Sequence, residues 1–131
     1  MKLTFATEDC VVGIAVGFLL IMYAGKIYPL KLPNYLYAIA FGIFIIFIIL
    51  DIIHEVSDLS IHPGFILLSI LHSVADMVLS IGLISYFTGL NIPYVTSLIV
   101  PYLQNEAMIL YAGIFLIAGN LIWLVMYPFI Y

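Results

Sequence analysis

Four apolar segments, each close to the length that a membrane-crossing helix requires, account for most of this chain of 131 residues. A helix needs about 20 mostly apolar residues to cross the hydrocarbon core of roughly 30 Å, so the chain has room for four crossings. Charged residues make up 8% of the sequence and the mean hydropathy is +1.31, whereas a soluble domain carries about 25% charged residues. The sequence therefore predicts an all-α, multi-pass protein of the cell membrane, with one domain embedded in the lipid bilayer.

Proline-containing or polar connectors separate the predicted spans. The first span precedes a connector with Lys26, Pro29 and Lys31, which cannot continue a helix. A short turn before Pro63 makes the second and third spans a helical hairpin. The stretch 91–105 is too short to cross, and we expect it to be interfacial or re-entrant, because irregular backbone within lipid must be shielded by protein. The predicted four-transmembrane-helix bundle has spans at about 10–28, 34–58, 64–88 and 107–127.

The few charges restrict both the partners and the orientation of the chain. Three lysines, no arginine and a net charge of −4 cannot provide the basic surface that nucleic-acid phosphates require. The single cysteine, Cys10, excludes an internal disulfide and a cysteine-based zinc finger. Two of the three lysines lie in the first connector and favour a cytoplasmic position for it, which places both termini outside.

Ionisable residues are concentrated on two helical faces that flank the hairpin turn. Each such residue costs about 2.5 to 3.5 kcal/mol in the middle of a span, so we expect them to face the bundle interior. Because the two spans are sequential neighbours, the two faces can oppose each other and form a polar funnel that narrows towards the membrane centre. Within arcs of roughly 100°, the second span carries Asp51, His54, Glu55 and Asp58, and the third carries Ser69, His72, Ser73, Asp76 and Ser80.

Asp76 has no polar counterpart on the second span, because the segment 41–50 is wholly apolar. A rise of about 1.5 Å per residue, counted inward from the two membrane faces, places Asn120 of the fourth span at the depth of Asp76. We therefore predict a hydrogen bond between Asp76 and Asn120, in which Asn120 serves either as structural glue between helices or as part of a pathway.

Two further features of the spans concern helix packing and membrane anchoring. Gly13 and Gly17 form a G-x3-G pattern, which permits close approach of another helix within the chain or from a second copy. Aromatic residues near the ends of spans typically anchor a protein at the membrane interface, and we expect this role for Trp123, Tyr102, Tyr111, Tyr127 and Tyr131.

Histidines and carboxylates three and four residues apart on one helix allow two side chains to reach a single ion, as in the metal sites of helical bundles. Without a thiolate in register, Zn²⁺, Mn²⁺ or Fe²⁺ suits such a site better than Cu(I). The same residues without metal could relay protons. A b-type haem held by His54 and His72 is a weaker alternative, because it does not explain the adjacent acids. The candidate metal ligands are His54, Asp58, His72, Asp76, Asp51 and Glu55.

The pattern H-x-V-x-D occurs twice, from His54 to Asp58 and from His72 to Asp76. It locally resembles the paired H-x3-D segments of the cation diffusion facilitator zinc transporters. In that family two intramembrane helices each contribute such a pair to a tetrahedral transport site, so the resemblance implies metal ligation by these four residues. The six spans and the cytoplasmic domain of that family have no counterpart here, so the resemblance is limited to the ligand pattern.

The sequence favours a small membrane protein that binds or translocates a divalent metal ion or protons. The alternative is a structural or accessory subunit of a larger membrane complex without catalytic activity of its own. The expected partners are the lipid bilayer and either further copies of this chain or such a complex. Enzymatic activity has little support, because the sequence contains no nucleophile with a nearby base, no glycine-rich phosphate loop and no dinucleotide fingerprint.

Overall fold

A computed structural model describes residues 5–25, 33–57 and 63–130, and these ranges are helical without strands. The long helices are α1 (Phe5–Tyr23), α2 (Asn34–Ser57), α3 (Pro63–Thr88) and α5 (Glu106–Ile130). Between α3 and α5 lie a short helix, α4 (Val95–Ile99), and a 3₁₀ helix (Val100–Gln104) that follows it directly. The all-α prediction is confirmed for the part of the chain that is described.

Three of these helices are long and apolar enough to cross a membrane. The qualifying segments are Asn34–His54 in α2, Ile66–Thr88 in α3 and Glu106–Met126 in α5. The apolar part of α1, Asp9–Tyr23, is shorter. The bounds of α2 and α3 agree closely with the second and third predicted segments, and α5 continues beyond the predicted end of the fourth.

The first helix begins and ends earlier than the predicted segment 10–28. It starts at Phe5 and ends at Tyr23, well before Pro29, the residue expected to stop it. Gly25 adopts a left-handed conformation with φ of 71°, and its N–H donates to the Met22 carbonyl at 3.0 Å. A left-handed glycine just past the last turn is a common helix C-terminus, so the glycine, and not the proline, terminates α1.

The long helices pack with alternating direction. Asn120 of α5 lies against Gly13 of α1, and Gly113 lies against Gly17, so α1 and α5 are antiparallel. A Cβ atom at Gly17 would lie 2.9 Å from the Gly113 carbonyl oxygen, which shows how closely the two backbones approach. The G-x3-G pattern therefore mediates packing within the chain. Helix α2 lies between α1 and α3, and α3 in turn runs in the same direction as α1.

Aromatic rings close one end of the bundle, where α1 ends, α2 begins and α3 ends. Tyr37 stacks on Phe87 with ring centroids 4.8 Å apart, and the Tyr23 ring meets both of them edge-on. The hydroxyl oxygens of Tyr23 and Tyr86 lie 3.3 Å apart. With the buried Leu83, these rings continue into the hydrophobic core, which includes Val16, Leu20, Phe41, Phe44, Ile48 and Leu116.

The stretch predicted as interfacial or re-entrant is helical and packs against the second half of α3. Gly82 has no side chain, which leaves room for Ile99 of α4 directly against α3. The Oγ of Ser85 and the Oγ1 of Thr96 lie 2.8 Å apart, and Thr96 also accepts the Ile92 N–H at 2.7 Å. The 3₁₀ helix contacts both α3 and α5. The 3₁₀ helix therefore links α3 to α5 near the aromatic end, while α4 packs on α3.

Candidate functional site

The polar residues of α3 face the bundle interior. We call Ser69, Ser73, Asp76 and Ser80 the α3 polar face; each is at most 1% exposed. Their spacing of four, three and four residues keeps them on one side of the helix. The prediction that this side of the third span is internal is confirmed. In a helix that otherwise carries apolar residues, such burial requires partners for each polar group.

Asp76 is hydrogen-bonded to Asn120, as the depth estimate predicts. The Asn120 Nδ2 donates to the Asp76 Oδ2 at 3.2 Å and also to the Leu116 carbonyl at 2.8 Å. Asn120 is fully buried, and a Cβ atom at Gly13 would lie 2.5 Å from its Nδ2. The absence of a side chain at Gly13 thus allows α1, α3 and α5 to meet around this amide.

His72 lies one helical turn from Asp76, at the seam between α3 and α5. Its Nε2 is 3.6 Å from the Asp76 Oδ2, and its side chain is 20% exposed. The imidazole stacks on the Trp123 indole, with centroids 5.8 Å apart and an interplanar angle of 13°. Gly119 lies beside the Nε2, where a Cβ atom would be 3.3 Å away. Two residues of α5 therefore border this histidine.

Trp123 makes a contact that its residue type alone does not predict. The sequence identifies it as an interface anchor, which stays a prediction, and its ring contacts His72 in the α3–α5 seam. Trp123 follows Asn120 by three residues and Gly119 by four, so the three lie on neighbouring positions of one helix face. This spacing is the sequence signal for the contact, because the predicted bond between Asn120 and Asp76 turns the same face of α5 towards α3.

Several buried atoms of this cluster have no hydrogen-bond partner among the described residues. They include the Oδ1 of Asp76, the Oδ1 of Asn120 and the Nε2 of His72. The amide nitrogen of Asn120 already donates to two acceptors, so it has no N–H left for the Asp76 Oδ1. A positive charge or additional donors would satisfy these atoms. The α3 polar face adds the hydroxyl oxygens of Ser69, Ser73 and Ser80.

Two further buried carboxyl groups come from α1 and α2. Asp9 is 2% exposed and Asp51 is 1% exposed. Asp9 precedes Gly13 by one helical turn, and α1 runs in the direction of α3, so Asp9 lies about 5 Å nearer the hairpin than Asn120. Buried carboxylates require compensation by hydrogen bonds or positive charge. The bundle interior near the hairpin is therefore acidic.

Among the described residues, neither Asp51 nor His54 completes a group of three metal-ligating side chains with His72 and Asp76. His54 is exposed on α2. The side chain of Glu55 and the whole of Asp58 lie outside the described residues, so their predicted roles stay predictions. In residues 5–25, 33–57 and 63–130, no three His, Cys, Asp or Glu side chains form a group that could hold a metal ion. Of the six candidate ligands, His72 and Asp76 lie side by side, with 3.6 Å between the Nε2 and the Oδ2.

The α3 polar face ends at Ser80. The next residues on the same side of α3 are Leu83 and Phe87, which are 0% and 4% exposed. With Tyr37, which stacks on Phe87, they form what we call the apolar layer. Ser85 lies on the opposite side of α3 and bonds to Thr96. The polar interior thus reaches from the hairpin end to Ser80 and is followed by hydrophobic side chains.

No family model, curated protein or solved structure matches this chain. The local resemblance to the cation diffusion facilitator pattern therefore stays a prediction about ligand chemistry. The His72–Asp76 half of that pattern lies within the described residues, and its two side chains lie near each other.

Proposed function

We propose that this protein binds a cation in the core of a four-span helical bundle, with Asp76 and His72 as its main ligands. The observation that carries the proposal is the distance of 3.6 Å between the His72 Nε2 and the Asp76 Oδ2. That distance is too long for a hydrogen bond. Two ligand atoms bound about 2.0 to 2.2 Å from one tetrahedral ion lie roughly 3.4 Å apart, so the pair is spaced for a shared ion.

The donor types favour a borderline divalent metal ion. Imidazole nitrogen combined with carboxylate oxygen suits Zn²⁺, Mn²⁺ or Fe²⁺. The Oδ1 of Asn120, a buried acceptor that has no hydrogen-bond partner among the described residues, offers a third protein ligand. The acidic interior formed with Asp9 and Asp51 supports binding of positive charge in general.

Protons are the second candidate cation. The α3 polar face places serine hydroxyl groups on both sides of Asp76. With a rise of about 1.5 Å per residue, the face is about 16 Å long from Ser69 to Ser80. A buried carboxyl group next to such hydroxyls and an imidazole is an arrangement that proton-carrying membrane proteins use.

The apolar layer favours binding from one side over a continuous translocation path. A polar route past Ser80 would have to cross the buried Leu83 and Phe87. Hydrophobic constrictions of this kind oppose the entry of water and ions. We therefore place the entrance at the hairpin end, where the buried Asp51 and the exposed His54 lie.

We also propose that α1 is the fourth span. Its 19 residues extend about 28 Å at 1.5 Å per residue, close to the hydrocarbon thickness. It packs along α5 from Gly13 to Gly17, and its last residue, Tyr23, reaches the aromatic end of the bundle. Burial of Asp9 against neighbouring helices supports a position within the bundle.

Elemental analysis of the purified protein in detergent tests the proposal after loading with Zn²⁺, Mn²⁺ or Fe²⁺. We expect one metal ion per chain in the wild type, its loss in Asp76→Asn, and its retention in the control Glu106→Gln, which alters an exposed acid.

If no metal binds, infrared titration of the carboxyl bands tests whether the cation is a proton. Proton binding predicts a titrating carboxyl band in the wild type that is missing in Asp76→Asn. A Soret band would instead indicate haem. If the protein shows no bound metal, no titrating carboxyl band and no Soret band, the cation proposal is wrong. The alternative of an accessory subunit would then be the better explanation.

A further inference from the structure

We propose that Trp123 is a positioning residue that holds the His72 nitrogen towards Asp76 and thereby sets the ion preference of the site. The inference rests on the proposed cation site. It starts from the near-parallel stack of the two rings, with an interplanar angle of 13°, and from the 3.6 Å distance between the His72 Nε2 and the Asp76 Oδ2.

The seam between α3 and α5 leaves the imidazole few other contacts that would fix its orientation. The His72 side chain is partly exposed, and within the described residues its Nε2 makes no hydrogen bond. Trp123 covers one face of the ring. Gly119 lies one turn earlier on α5, beside the Nε2. A Cβ atom at this position would be 3.3 Å from the Nε2. The two α5 residues together define the position of the ring.

The orientation of the His72 ring decides whether its nitrogen can bind the ion. With His72 in place, the site offers one imidazole nitrogen together with the Asp76 and Asn120 oxygens. Without it, only oxygen ligands remain, and these suit Mn²⁺ relatively better than Zn²⁺. A residue that orients a histidine ligand typically changes metal affinity by about 10-fold to 100-fold when it is replaced. Trp123 should therefore affect Zn²⁺ more than Mn²⁺.

The test compares Zn²⁺ and Mn²⁺ dissociation constants of purified variants, measured by competition with a fluorescent chelator. We expect Trp123→Leu to weaken Zn²⁺ binding about 10-fold to 100-fold while Mn²⁺ binding changes much less. Trp123→Phe keeps a flat ring over the imidazole and should remain near wild type. Tyr111→Leu, an exposed aromatic residue on the same helix, is the matched control and should change neither constant.

Gly119→Ala provides a second route to the same result without altering the tryptophan. The added methyl group displaces the Nε2, so the preference for Zn²⁺ over Mn²⁺ should fall here as well. This variant keeps the inference testable if Trp123→Leu does not fold, and the thermal unfolding midpoint of each variant verifies folding.

The outcomes separate this inference from the proposed function. If the wild type binds neither ion, the cation site itself is wrong, and the inference falls with it. If the wild type binds Zn²⁺ and folded Trp123→Leu binds it equally well, the positioning role is wrong while the cation site stands. An equal loss of both ions in folded Trp123→Leu and Gly119→Ala would also contradict it, because a general packing role predicts no change in ion preference.

Discussion

Asn120 and Asp76 join α5 to α3 through a hydrogen bond of 3.2 Å that is fully enclosed by the bundle. Direct packing between these two helices is otherwise sparse, and the 3₁₀ helix contacts both of them near the aromatic end. The amide also donates to the Leu116 carbonyl of its own helix, which fixes its orientation. One side chain thus connects the helices and occupies one lone pair of the Asp76 Oδ2, and the second lone pair stays available to another partner.

Replacing this amide should destabilise the bundle. We expect Asn120→Leu to lower the free energy of unfolding by about 0.5 to 2 kcal/mol, the range of interhelical hydrogen bonds in bilayers. Denaturant titration in detergent micelles measures the change. Asn91→Leu, the same substitution at an exposed position, should stay within about 0.5 kcal/mol of the wild type. Equal stability of Asn120→Leu and the wild type would mean that the bond contributes nothing.

The contact between α1 and α5 should be equally sensitive to a single methyl group. A Cβ atom at Gly17 would meet the Gly113 carbonyl oxygen at 2.9 Å, and backbone cannot move aside cheaply. We expect Gly17→Ala to cost about 1 to 3 kcal/mol, as overpacking does. Gly42→Ala is the matched control, because a Cβ atom there meets nothing within 4 Å. A Gly17→Ala variant as stable as the wild type would show that the two backbones can move apart and that the higher helix propensity of alanine offsets the collision.

The two histidines of the H-x-V-x-D pattern should differ in importance. His72 lies beside Asp76, whereas His54 is exposed on α2. We expect His72→Ala to remove most cation binding and His54→Ala to retain most of it, measured by equilibrium dialysis against Zn²⁺. A site in which both substitutions abolish binding would require His54 to reach the ion, as the family resemblance implies.

The apolar layer should limit passage across the membrane. Leu83 is 0% exposed and follows Ser80 on the same face of α3, so Leu83→Ser extends the hydroxyl-lined side by one turn. We expect a higher passive proton leak in liposomes that contain this variant, because polar substitution in a hydrophobic constriction favours water entry. Val78→Ser, on the exposed side of α3, is the control. An unchanged proton leak in a folded Leu83→Ser variant would show that the Leu83 side chain is not what blocks proton passage.

The segment between α3 and α5 should detach when its contact with α3 is blocked. A methyl group at Gly82 would collide with the Ile99 side chain, so Gly82→Ala should speed amide hydrogen exchange in residues 95–104. The double variant Gly82→Ala/Ile99→Ala removes the collision and should restore much of the protection. Unaltered exchange in the single variant would indicate that the hydrogen bonds of Thr96 hold the segment without Ile99.

Helical periodicity and depth predicted a large part of this structure from the sequence. The α3 polar face and the Asp76–Asn120 bond follow from spacing and rise per residue alone, because a helix fixes both. The bounds of the second and third helices agree closely with the predicted ones because short polar connectors flank these helices.

Tertiary contacts account for what sequence reasoning missed. Spacing placed Asp51 and His54 on one face of a helix, yet Asp51 is buried and His54 is exposed, because neighbouring helices cover only part of that face near the hairpin. The sequence predicts an interface anchor at Trp123 from its residue type, which is common at membrane interfaces. Its contact with His72 depends on the rotation of α5 around its axis, which composition does not specify.

The extensive packing of the first helix against the last has a consequence for biosynthesis. Helix α1 leaves the ribosome before α5, but the amide that occupies the space beside Gly13 belongs to α5. Until α5 is made, the carboxyl group of Asp9 lacks the completed bundle that encloses it. Final packing of α1 therefore has to wait for α5, and truncation before α5 should leave Asp9 uncovered and open to membrane quality control.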